Sequence, residues 1–516
     1  MSFANSRNVA YQEIGRFVAA ARRAIQPRRD GRKAVVYPFS GVDFIGHFWF
    51  DPHILRTLFP AVTHQVFFVP LPLSGRVDAR MAALAMRGLE VVEGLDLPHD
   101  VLFRFAVTLF RDQARFDFGD LHVVFGGASR TARELYHHGH RGQPPQATLA
   151  LTEAEDAEGT ALAKRAGIDP DRPLVVLHAR SPGYNPAHVF NRFRDCDIAR
   201  YTPAIERLVG RGYAVLRIGD PSMPPLPAAG RHIHDGAHFA ERAPLLDVWA
   251  IARSAFMIHC CSGPADIGRA FGRPLLGING YIGDFNEFES GHLLLPKTMA
   301  EVASGRAVDY AEMLGRRLTK LGHMYQFEQL GLHMVEAEPA AIEEACHEFC
   351  EGVGKPPGPP SRFEQINEAE DALRRAAGGP FPEDRFWAMD LPGSRLARAF
   401  LDRNPGFLDR PPRRSPDAAT RRRRPAAARD TFLRSHPSPG SHVSSDRLTY
   451  RRRAQDNHRP AGQTQRAVAG GAGRDPPGLR RTRQGRGDQG RGAHRRRRQV
   501  LRRRRGLEGA GGGARA

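Results

Sequence analysis

The apolar positions of this chain alternate between two spacings. Short runs rich in β-branched and aromatic residues read as buried strands: Ala34–Tyr37, Val66–Val69, Glu90–Val92, His122–Phe125, Leu174–Leu177, Tyr213–Ile218, Ala255–Ile258 and Leu275–Ile278. Helical spacing fills several of the gaps. Residues 8–25 place Ile14, Phe17, Val18, Ala21 and Ile25 on one stripe, with Arg16, Arg22 and Arg23 among them. That helix either packs on the first sheet or lays a basic face on an anionic membrane. Further helices are predicted from Glu153, capped by Thr152, and near 202–211, 245–253, 338–352 and 361–377. Strands alternating with helices predict an α/β fold, its parallel sheets covered on both faces.

One stretch, Ala255–Asn279, organises the rest. A strand leads into the small-residue turn Cys260-Cys261-Ser262-Gly263, and Pro264 suits the first position of a short helix. Gly272 suits the left-handed cap, and a second strand ends at Asn279. Such a turn points backbone N–H groups and a helix N-terminus at an anion, or is an ordinary strand-to-helix turn. Two other strands also end in polar residues, at His178-Ala179-Arg180 and at Arg217 with Gly219-Asp220. Ligands of open α/β sheets gather outside the carboxyl ends of the strands, so these groups converge on one edge. A planar guanidinium at a buried strand end fits a diphosphate through paired hydrogen bonds. Arg180 therefore clamps a diphosphate opposite Ser262, or forms a structural pair with a carboxylate. Arg217, inside its strand, serves the same pocket or the sheet.

Composition divides the chain. Its formal charge is +20, yet residues 411–516 carry 29 arginines, no lysine and 7 acidic residues, which leaves residues 1–410 near neutral. The body is thus an ordinary protein with no signal for nucleic acid. The tail cannot bury enough apolar surface to fold. It is a phosphate-backbone-binding arm or GC-rich DNA translated out of frame. The proline-bearing segment 140–150 reads as a linker. The resulting boundaries are 1–145, a first domain with its leading helix; 146–355, a second domain; 356–410, a helical extension; and 411–516, a disordered tail. Five cysteines without regular spacing argue against disulfides and structural zinc. No signal-peptide core or long apolar run occurs, so a cytoplasmic protein is expected. Asp195-Cys196-Asp197 resembles a metal-binding pair but precedes a helix, where aspartates cap. His232, His234 and His238 lack a carboxylate or cysteine at helical ligand spacing. Neither a Walker A sequence nor a dinucleotide fingerprint is present.

The succession VVLHARSPGY (175–184), DIARYTPAI (197–205) and GYAVLRIGD (212–220), continued by Ser262-Gly263-Pro264, Phe271-Gly272-Arg273-Pro274 and Leu295-Pro296-Lys297, resembles a family of bacterial glycosyltransferases linked to surface polysaccharides. The similarity reaches back to Ile45-Gly46-His47. The His178-Ala179-Arg180 strand end and the Ser262-Gly263 turn also resemble the nucleotide-binding half of GT-B fucosyltransferases.

The resemblance implies two Rossmann-like domains facing across a cleft. The second would hold a nucleotide diphosphate-sugar through His178, Arg180, Arg217, Gly219, Asp220, Ser262 and Gly263, with Asp220 reaching the ribose or base. The first would hold a glycan or lipid-linked acceptor beside the loop of Gly41 and Gly46, in peripheral contact with the cytoplasmic membrane. His47 would be the general base, because imidazole titrates near neutrality, with Asp43 second. No cofactor or metal is expected, since protein cations can carry leaving-group charge. Cys260-Cys261 departs from the family, where small hydroxyl residues or glycine are expected. The rival readings are a nucleotide-sugar epimerase on the same architecture and a nucleic-acid binder acting through the tail.

Overall fold

Lys33–Phe39 is buried at every residue after the first, as only a central strand covered on both faces can be. In the computed structural model it is β1 of the first sheet. The structure describes residues 3–28, 30–39, 45–70, 78–95, 115–124, 142–183, 189–285, 287, 289–356, 358–376 and 391–409. β1 is flanked in parallel by β2 (His64–Pro70) and β5 (Leu121–Val124). With β3 (Glu90–Val91) and β4 (Arg115–Asp117) the order is β3-β2-β1-β5-β4. β4 is antiparallel to β5 and was not foreseen, being a three-residue edge strand too short to show alternation. The leading helix α1 (Phe3–Ile25) packs Phe17, Val18, Ala21 and Ile25 onto Ala34, Val36, Phe67 and Val69. Arg22 of α1 pairs with Asp120. Its apolar stripe therefore covers this sheet.

The second sheet contains β6 (Leu174–His178), β7 (Ala214–Arg217), β8 (Ile233–Asp235), β9 (Phe256–His259), β10 (Leu275–Ile278) and β11 (Leu293–Leu295). β12 (Thr298–Glu301) and β13 (Leu332–Val335) form a separate antiparallel pair. β14 (Arg395–Leu396) then closes the sheet edge against β11. The order is β14-β11-β10-β9-β6-β7-β8, with every neighbour parallel. Strand order reverses between β6 and β9, which is the point where such sheets bind ligands. β8, β11 and β14 were not foreseen, since each is two or three residues long. Residues 356–410, expected to be helical, thus also supply a strand.

The helices that matter to the site are α2 (Ile45–Leu58), α3 (Ala79–Ala85), α4 (Glu153–Arg165), α5 (Thr202–Gly210), α6 (Pro244–Arg253) and α7 (Ala265–Ala270). Thr152 accepts from the Glu155 N–H and Glu155 returns the bond, closing the capping box that starts α4. The segment read as a linker runs against α7, where Thr148 and Leu149 donate to the Ala270 carbonyl. Among the described residues no helix is long and apolar enough to cross a membrane.

The two sheets do not stand apart. One apolar cluster joins Val35, Tyr37 and Phe68 of the first to Val176, Leu216 and Met257 of the second. The expected cleft is closed where α2 meets α7. A Cβ on Gly263 would lie 2.4 Å from Ile45 Cγ2 and 2.6 Å from the Gly46 nitrogen, and one on Gly46 would lie 3.1 Å from Gly263 Cα. Arg269 of α7 holds the same seam, its guanidinium 4.9 Å from the Phe50 ring centroid and 3.1 Å from Glu287 Oε1. Because the Gly46 backbone as well as the Ile45 side chain blocks the space, Gly263→Ala is expected to lower unfolding stability by about 1–3 kcal/mol. Urea denaturation checks this, and an unchanged midpoint would refute the close approach.

Candidate functional site

β6 and β9 deliver their last residues side by side, His178 opposite His259. The chain past β6 and the turn past β9 therefore meet at one rim. His178 Nδ1 and Ser262 Oγ are 2.7 Å apart. The Arg180 N–H donates to Cys260 Sγ at 3.0 Å. Arg180 Nε donates to Asp195 Oδ1 at 3.1 Å, so the structural carboxylate pair is formed. It occupies only that edge of the guanidinium. The terminal nitrogens have no protein partner among the described residues, and the side chain stays 20% exposed. Burial raises the Asp195 carboxyl above its usual range, opposed by Arg180. Asp195 was read as a cap. Asp197 does cap, accepting from the Ala199 N–H at 3.0 Å.

The turn explains the departure at the paired cysteines. Cys261 has φ +55°, the left-handed region in which glycine is expected, at a cost of about 1–2 kcal/mol for another residue. Room for its side chain comes from Gly280, where a Cβ would sit 2.2 Å from Cys261 Sγ. A left-handed residue turns successive N–H groups toward one point, a concavity that suits anions. The N–H groups of Ser262 and Gly263 have no acceptor among the described residues. Pro264 is the N-cap rather than the first helical residue, and α7 is only six residues long. Its dipole adds little, so the turn itself carries the anion argument. Beneath the turn, Cys196, His178 and the Arg180 N–H hold the Cys260 thiol well below its ordinary pKa, against burial. Burial pushes the Cys196 thiol well up.

The other wall is the first turn of α2. His47 is 41% exposed, and its Nδ1 is 3.8 Å from Oδ1 of the buried Asp51. The Tyr37 hydroxyl donates to Asp51 Oδ2 at 2.9 Å. Sequence reasoning missed Asp51, although its place four residues after His47 puts both on one helix face. Gly46 lies against the Ser262-Gly263 turn, so the backbone of α2 at His47 is next to that turn. Gly41 and Asp43 lie outside the described residues.

The β7 end is organised differently. Arg217 is 1% exposed, and one terminal nitrogen meets Asp235 Oδ1 at 2.9 Å. Another bonds the Pro224 carbonyl at 2.5 Å. Burial lowers its pKa, offset by Asp235. The structure thus makes Arg217 a buried brace between β7 and β8 and withholds it from the ligand rim. Asp220 Oδ1 accepts from the Ser222 N–H at 2.9 Å, and the Gly219 carbonyl accepts from Arg242 at 2.5 Å. Both hold the loop after β7. His238 bonds the Met223 carbonyl at 3.0 Å. Among the described residues no group of three His, Cys, Asp or Glu side chains is arranged to hold a metal ion.

No protein-family model matches this chain, and no curated protein does. Solved structures with partial likeness include a glycosyl transferase family 9 protein from Veillonella parvula, at 11% identity over 61% of this chain and 97% of that one, with a TM-score of 0.34. The Escherichia coli ADP-heptose lipopolysaccharide heptosyltransferase II shares 13% identity over 48% of this chain and 84% of that one, with a TM-score of 0.27. A UDP-N-acetylglucosamine 2-epimerase from Listeria monocytogenes shares 11% over 48% and 80%, with a TM-score of 0.23. With TM-scores below 0.5, none of these likenesses assigns a chemistry.

If Arg217 is a brace, Asp235→Ala leaves a buried cation without its partner. Removing one partner of a buried pair costs about 3–5 kcal/mol. Here about 2–4 kcal/mol is expected, because Asp235 is 20% exposed. Chemical denaturation measures that loss.

Proposed function

We propose that this chain is a GT-B-type glycosyltransferase that moves a sugar from a nucleotide diphosphate donor to a glycan or lipid-linked acceptor of surface polysaccharide. One observation carries the reading. At the switch point between β6 and β9, a guanidinium with open terminal nitrogens and a turn with unused N–H groups share a rim with a half-exposed histidine from the other sheet.

The leaving nucleoside diphosphate gains negative charge as its bond to the anomeric carbon breaks. Arg180 and the Ser262-Gly263 N–H groups would meet that charge, with His178 holding the Ser262 hydroxyl in place. Asp220, beyond β7, would reach the ribose or base. On the acceptor side His47 would take the hydroxyl proton as the acceptor oxygen forms its bond to the same carbon. Asp51, anchored by Tyr37, would orient the imidazole. In this reading protein groups carry the charge, and neither metal nor cofactor takes part.

UDP-, GDP-, CMP- and dTDP-linked sugars should be screened for a rise in melting temperature, because a ligand of the folded state stabilises it. For the donor so found, Arg180→Ala should abolish binding in calorimetry, and unchanged affinity removes Arg180 from the site. His47→Ala should keep donor affinity and slow donor cleavage by about 10²-fold or more. Conversion of the donor to an epimerised nucleotide sugar, with no free nucleoside diphosphate, would overturn the transferase in favour of an epimerase.

A further inference from the structure

At the opposite edge of the second sheet, where the strands begin, lies a cavity of about 360 Å³. Its wall brings together Arg172 from the turn before β6, Trp249 and Arg253 from the end of α6, and Arg273 from the turn before β10. These three arginines are poorly compensated. Arg273 donates from Nε to the Phe271 carbonyl at 3.2 Å and from one terminal nitrogen to the Ser254 carbonyl at 3.3 Å. It meets no carboxylate among the described residues. The Nε of Arg172 is buried with no hydrogen-bond partner. Arg253 has only Asp156, at 3.7 Å, and is 55% exposed. Asp169 and Asp171 border the cavity without pairing with any of the three. Asp169 instead accepts from the Asp171 N–H at 3.1 Å.

Cations crowded in this way repel one another and lose hydration. Burial, and then the charge of Arg253, lower the pKa of Arg273. An anion between them would offset both costs. Carbonyls at the end of α6 oppose an anion with about half a charge, and Asp169 and Asp171 on the same wall oppose it too, so the site rests on the guanidinium forks rather than on net charge. Those forks match a phosphate, whose free oxygens can accept from more than one of them, better than the two oxygens of a carboxylate. The space admits an organic group as well as the phosphate.

We infer that this cavity is a second anion site, which binds the phosphate group of a phosphomonoester at the edge of the sheet away from the Arg180–Ser262 rim. The inference stands apart from the glycosyltransferase reading. Its test uses the full chain and inorganic phosphate, by calorimetry and thermal melting at constant ionic strength. Wild type should bind saturably. Arg172→Gln removes a side chain whose Nε has no hydrogen-bond partner among the described residues, and should weaken binding about tenfold or more with folding intact. Arg273→Gln should do the same, and Arg207→Gln, at a surface arginine paired with Glu343 outside both sites, should leave affinity unchanged. Lack of saturable binding, wild-type affinity in Arg172→Gln, or loss of binding only in Arg180→Ala each overturns the site. Sedimentation with phosphatidylcholine vesicles containing phosphatidic acid distinguishes the source of the phosphate. Vesicle binding that Arg172→Gln abolishes assigns a lipid headgroup, whereas phosphate binding without vesicle binding assigns a soluble phosphomonoester.

Discussion

Two glycines meet where the halves join. Gly46, the second residue of α2, packs against Gly263 in the turn after β9, where an added Cβ would lie 2.6 Å from the Gly46 nitrogen. That contact sets the distance between an imidazole carried by one sheet and a turn carried by the other. Arg269 holds the seam from beneath, its guanidinium facing Phe50 and paired with Asp266 and Glu287. A buried cation of this kind costs desolvation and returns geometry. Here it ties α7 to α2 just behind the rim.

The second sheet was legible because its central strands are apolar on both faces and long enough to register. Leu174–His178 and Phe256–His259 lie where their runs predicted, and their ends supply His178 and the Ser262 turn. Six strands among the described residues escape the sequence pattern: β4, β8, β11 and β14, which lie at or near sheet edges and are two or three residues long, and the separate antiparallel pair β12 and β13. Their pairing comes from neighbours already in place, which a sequence does not display.

The site was legible by residue type and less so by partner. Arg180 was weighed between an anion and a carboxylate, and the geometry supplies the carboxylate while leaving the terminal nitrogens open. Nothing in Asp195-Cys196-Asp197 separates the aspartate that pairs with Arg180 from the one that caps. Arg217 shows the reverse: its partner Asp235 stands directly opposite it on β8, a short strand that the pattern does not show. The cysteine departure has a conformational cause. Cys261 adopts a glycine-like backbone, tolerated because Gly280 opposite it has no side chain.

The apolar cluster that runs unbroken from β1 and β2 into β6, β7 and β9 has a kinetic consequence. Parting α2 from α7 would expose Trp49 and Phe271, whose ring centroids lie 6.4 Å apart across the seam, and that cost rises with the area uncovered. Opening by whole-domain swing along this seam would therefore have to uncover that apolar surface.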